Sequence, residues 1–149
     1  MPQAPIQLLL ADDDQDDCLL FSEAISELSS IIQLRMVHDG AELLKFLSEQ
    51  DTNQLPDIIF LDLNMPKKTG HECLIEIRQD NKFKHIPVVI FSTSFDPKTV
   101  SKLQENGADH YIRKPADFTI LKNVLKEVLA IIQSEDPERT NKDNFILLS

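Results

Sequence analysis

The sequence predicts an α/β domain, a doubly wound parallel sheet of five strands with helices on both faces. Strand-like and helix-like patterns alternate five times along its 149 residues. Three of the strand-like runs are short, continuously apolar and ended by polar residues, as strands buried on both faces are. Two of them, Leu8-Leu9-Leu10-Ala11 and Ile58-Ile59-Phe60-Leu61, run directly into carboxylates, Asp12-Asp13-Asp14 and Asp62. Regular βα alternation implies a parallel sheet covered on both sides, and right-handed crossovers prune the topologies. In such sheets a ligand sits beyond the carboxyl ends of the strands, where the strand order reverses. Strands one and three, both ending in acid, meet at such a point in the order 2-1-3-4-5.

Each element has its own signal. Strand one is Gln7–Leu10. Helix one starts near Asp16, and its acidic first turn suits the positive end of the helix dipole. Its expected apolar stripe is Leu20, Phe21, Ala24, Ile25 and Leu28, at helical spacing. Gln33–Val37 is strand two, and Gly40–Ser48 is helix two with Leu43, Leu44, Phe46 and Leu47. Strand three is Asp57–Leu61 and helix three Gly70–Gln79. Pro87–Phe91 is strand four. Asp96-Pro97 reads as an N-cap followed by proline at the first helical position, and Gly107 as the left-handed end of that helix. His110–Arg113 is strand five. Asp117 caps a last helix to about Gln133, with Ile120, Leu121, Val124, Leu125, Val128, Ile131 and Ile132 as its apolar positions.

The expected division is one domain over residues 1–134 and a C-terminal tail over 135–149. The chain turns polar from Ser134 to Asn144 and ends on Phe145-Ile146-Leu147-Leu148. That end reads equally as a loose terminus, or as an extra strand or docking peptide.

Composition excludes several functions. The formal net charge is −10, from 25 acidic and 15 basic residues. This opposes a nucleic-acid surface, which needs a basic footprint, and docking on anionic lipid. No run approaches transmembrane length. Met1 to Leu10 lacks the basic start of a signal peptide, so the expected location is the cytoplasm. The two cysteines, Cys18 and Cys73, have no metal-ligand spacing and read as reduced, partly buried thiols. His38, His71, His85 and His110 are scattered, and His71-Glu72 lacks the second histidine of a zinc-protease motif.

Asp12, Asp13 and Asp62 crowd like charges at one sheet edge, which disfavours joint ionisation unless a cation neutralises them. A few oxygen ligands suit Mg²⁺, which keeps waters and binds phosphate oxygens. Ser92 closes the apolar run Val88–Phe91, and Lys114 ends strand five. A carboxylate nucleophile, a metal, a hydroxyl and a lysine at successive strand ends make a phosphoryl-transfer set. Asp14, Asp16 and Asp17 read as helix-start carboxylates that do not bind metal.

Five segments now carry a resemblance. Leu10-Ala11-Asp12-Asp13-Asp14, His38-Asp39-Gly40-Ala41-Glu42-Leu43-Leu44, Phe60-Leu61-Asp62-Leu63-Asn64-Met65-Pro66 with Gly70 following, Ser92-Thr93-Ser94, and Tyr111-Ile112-Arg113-Lys114-Pro115 occur in that order. Together they resemble the receiver domain of two-component response regulators, over about residues 6 to 133. The resemblance implies a flavodoxin-like fold with Asp62 as phosphoacceptor. It implies Asp13 as a Mg²⁺ ligand, Asp12 acting mainly through water, and the Asn64 carbonyl as a further ligand. Ser92 and Lys114 would contact the phosphoryl group. Tyr111 would swing inward as Ser92 is drawn to the phosphate, and Lys114-Pro115 would be a cis peptide. Two departures stand out. Thr69 occupies the place before the loop glycine where an acid is common. Ser92 replaces the commoner threonine, with Thr93 following where a small residue is usual.

The expected function is that of a stand-alone receiver, not an enzyme beyond its own phosphorylation and dephosphorylation. It would take a phosphoryl group from a sensor histidine kinase or phosphotransfer protein and switch a surface read by an unnamed downstream protein or a second copy of itself. The pattern of Leu63-Asn64-Met65-Pro66-Lys67-Lys68 is similar to small receivers that partner phytochrome-like kinases. One alternative is an aspartate-nucleophile, Mg²⁺-dependent phosphatase of haloacid-dehalogenase type, of which Asp12-Asp13-Asp14-Gln15 imitates only the spacing. Another is a flavin-binding module, whose phosphate loop the run Asp12 to Asp17 would repel. A degenerate receiver used only as a scaffold is disfavoured, because each phosphorylation residue is present.

Overall fold

The computed structural model describes residues 5–28, 31–133 and 145–147. Its strands are β1 Ile6–Ala11, β2 Ile32–Val37, β3 Ile58–Leu61, β4 Val88–Ser92, β5 His110–Arg113 and β6 Ile146–Leu147. Its helices are α1 Gln15–Leu28, α2 Gly40–Glu49, α3 Gly70–Gln79, α4 Pro97–Glu105 and α5 Phe118–Gln133. All pairings are parallel and the order is β2-β1-β3-β4-β5-β6. The first five strands follow the expected order, and β6 is the addition.

Side chains alternate across a strand, and here the alternation fills two cores. Leu9, Ala11, Ile59, Leu61, Val88, Ile90 and Tyr111 lie on one face, with Leu43, Leu47, Leu74, Ile77, Val100 and Leu103 from α2, α3 and α4. Leu8, Leu10, Ile58, Phe60, Val89, Phe91 and Ile112 lie on the other, with Phe21, Ala24, Ile25, Leu121, Val124, Leu125 and Val128 from α1 and α5. Phe21, Phe60 and Phe91 pack edge-to-face there, with centroids 5.0–6.2 Å apart. In α1 the stripe is rotated slightly from expectation. Cys18 is buried, whereas Leu20 is 42% exposed.

The helix ends follow local chemistry. Asp117 accepts a hydrogen bond from the Ile120 amide at 3.0 Å. Asp14 does the same for Asp17 at 2.9 Å and so starts α1. Thr69 and Glu72 form a reciprocal capping box on α3. Thr69, unusual for the family it resembles, therefore has a structural role of its own. Asp96 is the N-cap of α4 with Pro97 following, as expected, but its carboxylate accepts from the Thr99 hydroxyl at 2.8 Å instead of from a backbone amide. Gly107 has φ of +100°, and the following amide of Ala108 returns to the Leu103 carbonyl at 3.0 Å, closing the helix end. Gly70 cannot carry a side chain, because a Cβ there would collide with the backbone carbonyl of Asp62. This contact seats α3 directly against the end of β3.

The apolar end of the chain is a strand. Ile146 and Leu147 pair with Tyr111 and Ile112 of β5. Phe145 accepts a hydrogen bond from the Tyr111 amide at 2.8 Å and is buried in the core that holds Tyr111, Val100 and Leu103. The polar stretch 134–144 lies outside the described residues. Truncating a large buried aromatic leaves a cavity, so Phe145→Ala should cost about 3 kcal/mol in urea unfolding. A loose end would show no change.

Candidate functional site

The site is built at the carboxyl ends of β1, β3, β4 and β5. The Asp12 amide donates to the Val37 carbonyl at 3.0 Å and the Asp62 amide to Ala11 at 2.9 Å, so both acids are fixed by the sheet's last hydrogen bonds. Asp12 and Asp62 are buried, and Asp13 is exposed. One carboxylate oxygen from each of Asp12, Asp13 and Asp62 can be chosen so that all three lie within 4.8 Å of one another. Asp12 Oδ1 accepts from the Asp14 amide at 3.0 Å. Asp62 Oδ1 accepts from the Leu63 amide at 2.8 Å.

Lys114 is the cation of the site. Its Nζ lies 2.8 Å from Asp12 Oδ2, 2.8 Å from Asp17 Oδ2 and 3.7 Å from Asp62 Oδ2. It also lies 5.5 Å from the centroid of the Phe91 ring. Burial alone would lower the ammonium's pKa, but hydrogen bonds to Asp12 and Asp17 and the charge of Asp62 together raise it. Asp62 goes the other way from a typical paired acid. Burial pushes its carboxyl up to about 6, the charge of Lys114 opposes this, and that of Asp12 adds to it. A carboxylate that is costly to ionise is eager for a further cation or for esterification.

Ser92 is buried at the end of β4, and its hydroxyl accepts from the Ser94 amide at 3.2 Å. Its carbonyl accepts from the Lys114 amide at 2.9 Å, which locks β4 to β5 at the site. Asn64 Nδ2 donates to Ser94 Oγ at 3.3 Å, linking the loop after β3 to the loop after β4. Tyr111 is fully buried, donates to the Ser94 carbonyl and packs edge-to-face on Phe95 at 5.8 Å. Burial raises its phenol pKa, and the neighbouring Ser92 hydroxyl offsets part of this.

One expectation needs correction. The Lys114–Pro115 peptide is trans, since no cis bond occurs among the described residues. Trans is the lower-energy isomer of an X-Pro bond, and from it Lys114 already reaches Asp12 and Asp17. Tyr111 lies inward in this structure, its hydroxyl on the Ser94 carbonyl and its side chain in the same core cluster as Phe145. Sequence reading also missed Asp17. The signal was available: Lys114 shares the sheet face of Ile112 and Phe91 by strand alternation, and α1 packs on that face.

The comparisons agree with this geometry. The family model described as the response regulator receiver domain matches residues 8–126. The chain belongs to the response regulator receiver domain family. The chain is similar to the response regulator Rcp1 of Synechocystis sp., with 34% identity over 130 residues, 85% of this chain and 86% of Rcp1. Its structure is similar to that of the phosphorylated cyanobacterial phytochrome response regulator RcpA, with a TM-score of 0.80 at 32% identity, covering 89% of this chain and 97% of that one. It is also similar to the Mn²⁺-bound form of Rcp1, with a TM-score of 0.76 at 30% identity and the same coverage. Receiver domains bind a divalent metal and are phosphorylated by histidine kinases. The family assignment leaves the haloacid-dehalogenase alternative without support.

The donor set fits such an ion. It is all oxygen, and two of its three carboxylates, Asp12 and Asp62, face one ammonium that Asp17 also engages. A bound divalent cation would neutralise the developing charge on transferred phosphoryl oxygens. Because the site has few carboxylates, losing one should weaken binding severely. Asp13→Asn should therefore reduce metal affinity at least tenfold in a calorimetric titration, roughly the loss of one carboxylate ligand. Asp14→Ala, which removes a helix cap, should instead cost about 1 kcal/mol of stability and leave affinity nearly intact.

Proposed function

We propose that this receiver takes a phosphoryl group onto Asp62, with Mg²⁺ held by Asp12, Asp13, Asp62 and the Asn64 carbonyl. The observation that carries this is Asp62 itself, a buried carboxylate raised to about 6 with Lys114 Nζ at 3.7 Å. An Asp62 oxygen attacks phosphorus as the bond to the donor nitrogen of a phosphohistidine breaks. The electron pair returns to the imidazole. Ser92 and Lys114 hydrogen-bond the transferred oxygens. The similarity to RcpA and Rcp1 favours a phytochrome-type kinase as donor. Incubation with acetyl phosphate and Mg²⁺ should add one phosphoryl group by intact mass, and chelation should prevent it. No uptake at saturating Mg²⁺ would sink the proposal.

The proposed output surface is the face of α4, β5 and α5. Its edge strand β5 is covered by the chain's own β6, so a partner must compete with β6 or use the helices beside it. Full switching from about 1:99 to 99:1 requires roughly 5.5 kcal/mol. One or two hydrogen bonds at Ser92 supply about 0.5–3 kcal/mol each, so a partner or a second copy supplies the rest. Sedimentation should show a larger species only with a phosphoryl mimic present. A monomer with and without it would remove self-association and leave the phosphoacceptor reading intact.

A further inference from the structure

Lys114 has three carboxylate neighbours, and they do not have equal duties. Asp62 loses its charge as a carboxylate when esterified. Asp12 belongs to the metal cluster. Asp17 alone is outside both roles, yet its Oδ2 is as close to Nζ, at 2.8 Å, as that of Asp12. Its position is fixed, because its amide donates to Asp14 Oδ1 at 2.9 Å in the first turn of α1, and the Asp14 amide in turn donates to Asp12 Oδ1 at 3.0 Å. Phe91 lines the same ammonium from the sheet side, 5.5 Å from ring centroid to Nζ.

Extending the phosphoacceptor reading, we propose that Asp17 is a positioning residue that tethers the Lys114 ammonium beside Asp62 while the cation occupies the neighbouring acids. A dication near Asp12 and Asp62 repels an ammonium at a few ångströms. Lysine is a flexible stem that leaves for water unless held. It has three donors. One engages Asp17, one reaches Asp12, and the third remains for a phosphoryl oxygen. Asp17 does not touch the transferred group; it acts through Lys114.

The test uses acetyl phosphate as donor. An Asp62 oxygen bonds to phosphorus as the bond from phosphorus to the acetyl oxygen breaks, and acetate leaves with the electron pair. Asp17→Asn should slow this step about tenfold, the weight of one charge-assisted hydrogen bond. Asp16→Asn removes the same charge one residue away and should leave the rate unchanged. In a Lys114→Ala background, Asp17→Asn should have no further effect. A second readout does not depend on phosphoryl uptake: with Mg²⁺ bound, the ¹⁵N ammonium resonance of Lys114 should be visible in the wild type and lost by exchange with water in Asp17→Asn. An Asp17→Asn protein that matches wild type in rate, or that slows uptake equally without Lys114, overturns the tether while the phosphoacceptor reading stands. A wild type that takes up no phosphoryl group overturns both.

Discussion

Asp62→Asn should take up no phosphoryl group, while its fold and its Lys114 ion pairs to Asp12 and Asp17 persist. The amide keeps the shape of the side chain but offers no anionic oxygen to attack phosphorus. Asp12 and Asp13 cannot substitute. Asp12 is fully buried, with one oxygen on the Asp14 amide and the other on Lys114. Asp13 is exposed, and its expected service is to the metal. Lys114 retains Asp12 and Asp17 at 2.8 Å each, so the variant does not release the ammonium. Intact mass after acetyl phosphate treatment should show one adduct on wild type and none on Asp62→Asn. An unchanged adduct on the variant would move the phosphoacceptor elsewhere. The thiols are not rivals, because burial pushes Cys18 and Cys73 up to about 11 and keeps them protonated.

The four strands whose ends build this site, β1, β3, β4 and β5, were legible because each is a short, largely buried run that leads into the polar residue the site uses. Asp12, Asp62, Ser92 and Lys114 are those end residues, so reading the strands located the chemistry as well. The two-residue β6 was not legible in the same way. Phe145 and Leu147 are apolar, but nothing local distinguishes a docked strand from a loose end; the deciding partner is the β5 edge, distant in sequence. Asp17 was hidden by a competing local explanation. An acid in the first turn of a helix is favoured by the helix dipole whatever it faces, so the strand alternation that puts Lys114, 97 residues away, on the face that α1 covers went unused. The cis expectation for Lys114-Pro115 came from resemblance alone, and no local residue pattern fixes it.

Without metal, the protein should lose stability as pH rises from about 4 to 6, because Asp62 is raised from 3.8 to about 6 on folding. The sign follows from proton counts. Between those values the folded state holds a proton on Asp62 that the unfolded state has released. Raising the pH removes that proton from the folded form at a cost, and the cost is complete above about pH 6. A shift of about two pKa units corresponds to on the order of 3 kcal/mol. Other carboxylates titrate over the same range, so the informative quantity is the difference from Asp62→Asn, which has no such proton. At pH 7.5 and without metal, the variant should be the more stable by about 1–3 kcal/mol. The advantage should vanish near pH 4. Saturating Mg²⁺ should offset most of it, since a ligand at a hundred times its dissociation constant adds about 2.7 kcal/mol to the wild type, and the variant, lacking one carboxylate, gains less. Urea unfolding of both proteins at pH 4, 6 and 7.5, with and without Mg²⁺, supplies the comparison. A wild type more stable than Asp62→Asn in metal-free buffer at pH 7.5 would show that Lys114 outweighs burial at Asp62. The site would then be a settled ion pair, with no excess negative charge for a cation or a phosphoryl group to relieve.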